Sequence, residues 1–104
     1  MNIESSTALF LDEAGAVSFA QLVEQSGLTE AELQVLVDCG ALEPRDVAAV
    51  SWSFSSRCIV TARAARRVRD DFALDDAHTV AVVVRFMQRI EDLERTLHAL
   101  QARR

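Results

Sequence analysis

Four side chains in this sequence have lone pairs suited to nucleophilic or metal chemistry: His78, His98, Cys39 and Cys58. Their spacing does not support either use. A nucleophile needs a base within hydrogen-bond reach, yet both histidines fall on one expected helix, with Cα atoms roughly 30 Å apart. The cysteines form no C-x-x-C pair and have no neighbouring histidine, so both read as small buried hydrophobes. Asp70-Asp71 and Asp75-Asp76 could suggest a cation, but each pair flanks an expected helix end, where Asp is a common terminator or cap. The three glycines form no phosphate-cradling loop. No catalytic residue, cofactor or metal site is expected, so function has to come from surfaces.

The charges describe two such surfaces. Between Met1 and Glu43 the acidic side chains are Glu4, Asp12, Glu13, Glu24, Glu30, Glu32, Asp38 and Glu43, and there is no Lys or Arg. Every basic residue comes later and is Arg, most densely at Arg57, Arg63, Arg66, Arg67 and Arg69. This asymmetry predicts one acidic face and one basic face.

Local signals place these residues on elements. Thr7–Leu11 is apolar and β-inclined, and Asp12–Gly15 reads as a turn. Ser18 with Gln21 forms a capping box, Val17 with Leu22 a hydrophobic staple, and Gly27 a stop. The same grammar recurs with Thr29 and Glu32, Leu28 and Leu33, and Gly40. Leu33, Leu36 and Val37 are its buried stripe. Two short helices around Gly27-Leu28 make a helix-turn-helix candidate.

Pro44 breaks the chain. Val47–Phe54 alternates as a strand and could pair with Thr7–Leu11 as a small wing, with Trp52 as a core anchor beside Phe54. Ser55 or Ser56 is expected to cap a third helix, buried along Cys58, Ala62, Ala65, Val68 and Phe72. Asp75 or Asp76 begins a long last helix. There Val83, Phe86, Ile90, Leu93, Leu97 and Leu100 alternate at spacings of three and four, a heptad seam suited to dimerisation. Val80, Val82, Val84 and Met87 widen its first turns for packing on the lobe.

A DNA-binding use of the helix-turn-helix meets a charge problem. Its second helix, Glu30 to Cys39, would offer Glu30, Glu32 and Asp38 to a phosphate-lined groove with no cation. DNA affinity rests on neutralising phosphates, with a salt slope of about −0.9 per charge. No direct nucleic-acid partner is expected. No apolar run is long enough to span a bilayer, and the N-terminus lacks a signal-peptide layout, so the chain reads as cytoplasmic.

The order of elements resembles the MerR family of winged helix-turn-helix regulators, and more finely its chaperone modulators of the CbpM type. The resemblance rests on Glu43-Pro44-Arg45, on Trp52-x-Phe54, and on the run A-A-R-R-V-R-D-D-F-A-L-D from Ala64 to Asp75. It covers roughly Val17 to the end. Where that pattern carries Trp-Pro after the A-L-D run, this chain has Asp76-Ala77.

The resemblance implies a mostly α fold: a MerR-like lobe with a small β wing over residues 1–75, and a long C-terminal dimerisation helix over 76–104. It also implies binding to the J-domain of a DnaJ-type co-chaperone, CbpA-like, with inhibition of its co-chaperone and DNA-binding activities. Glu30, Asp38, Glu43 and, less freely because it caps a helix, Glu32 are the candidate partner-binding residues. A MerR-like DNA-binding regulator is the alternative.

Overall fold

The structure is a computed structural model that describes residues 16–45 and 51–103. A two-residue strand β1 (Val17–Ser18) runs into α1 (Phe19–Ser26), followed by α2 (Glu30–Asp38), strand β2 (Ser53–Phe54), α3 (Arg57–Asp71) and α4 (Ala77–Ala102).

Both capping boxes form. The Ser18 N–H donates to Gln21 Oε1 at 2.8 Å, and the Gln21 N–H returns to Ser18 Oγ at 3.1 Å. Thr29 and Glu32 repeat the exchange at 2.9 and 3.1 Å. Gly27 stops α1 in the left-handed region with φ 83°. Gly40 does the same one residue after the α2 cap, where Ala41 and Leu42 N–H groups both donate back to the Leu36 carbonyl.

The two strands pair antiparallel, Val17 with Phe54 and Ser18 with Ser53. The strand before α3 therefore joins the residues that open α1. The expected partner Thr7–Leu11, the turn after it, and positions 47–50 of the expected strand lie outside the described residues. The ladder brings Phe19, Trp52 and Phe54 together, with ring centroids 6.0 to 6.4 Å apart. Phe54 is fully buried, and Trp52 is half-buried against the core.

Helix α3 packs on α1, and α4 packs on both α2 and α3. Leu22, Leu28, Leu33, Leu36, Leu42 and Phe54 fill the centre. Ala62, Ala65 and Ala81 have no exposed surface, and their small side chains let the helices approach closely.

Four local expectations need correction. Neither serine caps α3 through its side chain: Ser56 is already helical, and the Ser55 and Ser56 carbonyls accept the first N–H groups instead. Phe72 is not on the buried stripe. Helix α3 ends one residue before it, and its ring is 70% exposed. Val82 and Met87 are also exposed, because the lobe meets the face of α4 that carries Val80, Ala81 and Val84. Cys39 caps α2 at the surface, whereas Cys58 is half-buried; both thiols are free.

Candidate partner-binding surfaces

The acidic candidates separate by what holds them. Glu32 is engaged inside the lobe: its Oε1 accepts from the Thr29 N–H and, at 2.8 Å, from Arg69 Nη1 on α3. Burial pushes the Glu32 carboxyl up, but the Thr29 N–H and the Arg69 guanidinium outweigh it and hold the group below its ordinary value. Glu30, Asp38 and Glu43 are exposed. Asp38 accepts from Gln34 Nε2 one turn back at 3.0 Å, while the Glu30 carboxylate has no hydrogen bond or ion pair among the described residues. About 12 Å of helix separates Glu30 from Asp38, so the acidic residues of α2 mark both of its ends.

Several arginines of the basic run serve the fold. Arg69 also donates from Nε to Asp70 Oδ1 at 2.9 Å, and these bonds to Asp70 and Glu32 raise its own pKa. The Arg69 bond in turn holds Asp70 below its ordinary value. Arg63 donates to the carbonyl and side chain of Gln25 at 3.1 and 3.0 Å, fixing the end of α1 to α3. Arg66 lies across Gly27. Spacing alone did not expose these links, which span 37 and 38 residues of chain.

Asp76 caps α4. It accepts from the Thr79 hydroxyl at 2.9 Å and from the His78 N–H at 3.1 Å, and these bonds lower its pKa.

Most of the exposed large hydrophobic side chains among the described residues lie on the last helix. Phe86, Ile90, Leu93, Leu97 and Leu100 are each more than half exposed, whereas Val83, at the seam's start, is half-buried. At 3.6 residues per turn these five lie roughly 180° from Val80, Ala81 and Val84. One side of α4 thus belongs to the lobe and the other faces outward along its length. Near its start, Val82 and Phe86 join Cys39, the cap of α2, in an open hollow of about 450 Å³, rimmed by Arg85 and Arg89. Glu43 lies elsewhere, in a polar groove of about 530 Å³ shared with Arg57, Arg85 and Arg95.

These features are those of a helix-turn-helix lobe with a two-strand ladder behind it and an outward helix at its end. Residues 17–102 match the MerR HTH family regulatory proteins. The chain belongs to the MerR family, in its CbpM-type branch. It is 31% identical, over 75% of its length and 76% of theirs, to the chaperone modulatory protein CbpM of Escherichia coli strain K12 / DH10B, of Escherichia coli O157:H7 and of Shigella boydii serotype 18. In this MerR-like lobe, α2 occupies the position of the recognition helix and carries Glu30, Glu32 and Asp38 but no Lys or Arg. No helix among the described residues is long and apolar enough to cross a membrane.

Proposed function

We propose that this chain is a cytoplasmic, non-catalytic chaperone modulator. It binds the J-domain of a CbpA-like co-chaperone of the DnaJ type and inhibits that protein's co-chaperone and DNA-binding activities. The observation that carries this reading is the sign of the helix-turn-helix. The recognition-helix position holds exposed Glu30 and Asp38, with Glu43 just beyond, and no cation precedes Arg45. J-domains engage Hsp70 through a basic helix, so a competitor needs an acidic surface, and complementary charge of that kind sets specificity and association rate. The name shared by the bacterial relatives points the same way.

The outward seam of α4 supports a homodimer as the working form. Leaving the exposed halves of Leu93, Leu97 and Leu100 in water forfeits about 1 kcal/mol of burial apiece. A second copy related by a two-fold axis, its helix antiparallel, would cover them together with Phe86, Ile90 and Val83.

The experiment that tests the function is J-domain-stimulated ATP hydrolysis by Hsp70. Added chain lowers the stimulation in proportion to J-domain bound, and raising Hsp70 restores it. Stimulation that is unaffected by excess chain would refute the inhibitory role. A second reading, a DNA-binding transcription regulator, is favoured by the helix-turn-helix itself and by the regulatory family that it matches. Sequence-specific retardation of DNA at moderate salt would establish that reading instead.

A further inference from the structure

The turn between α3 and α4 exposes what a free-standing fold would cover. Phe72 is the most exposed large hydrophobic side chain among the described residues, at 70%. The next residue, Ala73, is the only non-glycine among them in the left-handed region, with φ 53°, a conformation that residues with a Cβ rarely adopt. That twist lets the Leu74 N–H donate to the Arg69 carbonyl at 2.8 Å and sends the Leu74 side chain inward against the core. A strained turn thus packs Leu74 partly against the core and leaves the larger aromatic in water.

The surroundings of Phe72 are acidic and are assembled from three elements. Asp70, Asp71, Asp75 and Asp76 flank it in sequence, and no Arg or Lys occurs between Arg69 and Arg85. The Arg69–Glu32 bridge brings the first turn of α2 to the same end of the lobe. Leu28, Glu32, Ala77 and Val80 line one crevice there. Asp70 and Asp76 are occupied by Arg69 and by the first turn of α4. The Glu30, Asp71 and Asp75 side chains are exposed, and their carboxylates have no hydrogen bond or ion pair among the described residues.

We propose that Phe72 is the aromatic anchor of the surface that receives the partner's basic amphipathic helix. Its ring sits between apolar side chains of that helix while Asp71, Asp75 and Glu30 meet its cations. The inference rests on the function proposed above and deepens it by choosing an end of the lobe. The helix lies over the start of α2 and the α3–α4 turn, and Asp38 and Glu43, near the other end of α2, only steer its approach. An exposed aromatic suits the anchor of an interface, and the carboxylates left over once Arg66 and Arg69 have paired with Asp70 and Glu32 favour a basic occupant.

The test titrates the isolated J-domain of a DnaJ-type co-chaperone into the full chain. Phe72→Ala is expected to leave the melting temperature and oligomeric state unchanged and to weaken binding about thirtyfold. Asp71→Lys with Asp75→Lys is expected to slow association about tenfold, against about twofold for Asp38→Lys with Glu43→Lys. Absence of binding by the wild-type chain overturns the functional reading and this placement with it. Wild-type binding that Phe72→Ala leaves within a factor of two overturns the placement alone. A shift of Phe72→Ala from dimer to monomer also overturns it, because a second copy then covers the ring.

Discussion

Arg69 Nη1 donates to Glu32 Oε1 at 2.8 Å, joining the last turn of α3 to the first turn of α2. Each side chain of the pair is only 23% exposed. The same carboxylate oxygen closes the Thr29 capping box, so one atom serves as both helix cap and bridge between helices.

A double-mutant cycle of Glu32→Gln and Arg69→Met, read by chemical denaturation, should give a coupling of about 1 kcal/mol. The Glu32 carboxyl is depressed in the folded state below its ordinary 4.5. Its stabilising contribution is therefore complete above that unfolded-state value and is lost as pH falls through the lower folded value. Stability measured at neutral pH and again in acid should differ less in Glu32→Gln than in wild type.

The two helix-stop glycines should respond differently to alanine. Both have φ 83°, so each substitution carries the left-handed penalty of about 1 kcal/mol. At Gly27 a Cβ would also meet Arg66 Cδ at 2.9 Å, whereas nothing lies within 4 Å at Gly40. Gly27→Ala should lower the melting temperature more than Gly40→Ala. Equal losses would mean that Arg66 moves aside freely.

The caps and stops were legible because each is a conversation among residues three or four apart, and Thr29, Glu32 and Gly40 stand in plain order. The Glu32–Arg69 bridge was not, since nothing in the spacing singles out Arg69 among the clustered arginines. Phe72 was misread for a related reason. Helical periodicity places it with Ala62, Ala65 and Val68, but periodicity does not reveal that the helix stops at Asp71. The α4 pattern reads as a widened start, Val80, Val82, Val84 and Met87, that packs on the lobe, and a seam that seeks a partner. Helix rotation divides it into a lobe face through Val80 and Val84 and an outward face through Phe86 and Leu93. The approach of the first turn of α2 to the end of α3, through Glu32 and Arg69, depends on tertiary packing, which leaves no local signature.

The outward face makes a prediction about assembly. Wild type should sediment as a dimer at micromolar concentration, and Leu93→Glu with Leu97→Glu should be a monomer with its melting transition intact. Both residues are more than half exposed within one chain, so the substitutions do not touch the lobe's own core. A wild-type monomer at that concentration would leave the seam without a second copy.

Charge on α2 should govern encounter with the partner. Reversing Glu30 and Asp38 to Lys is expected to slow association with a J-domain and to flatten its dependence on salt, because exposed charges act over about 8 Å at physiological ionic strength. An association rate equal to wild type across salt concentrations would remove these carboxylates from the interface.

The central claim is that the acidic helix-turn-helix receives a J-domain rather than DNA. Calorimetric titration of the full chain with the isolated J-domain of a DnaJ-type co-chaperone, at low and at high ionic strength, tests it most directly. The account predicts saturable binding, one J-domain per chain, that weakens as salt rises. No binding at micromolar concentration at either ionic strength would contradict it.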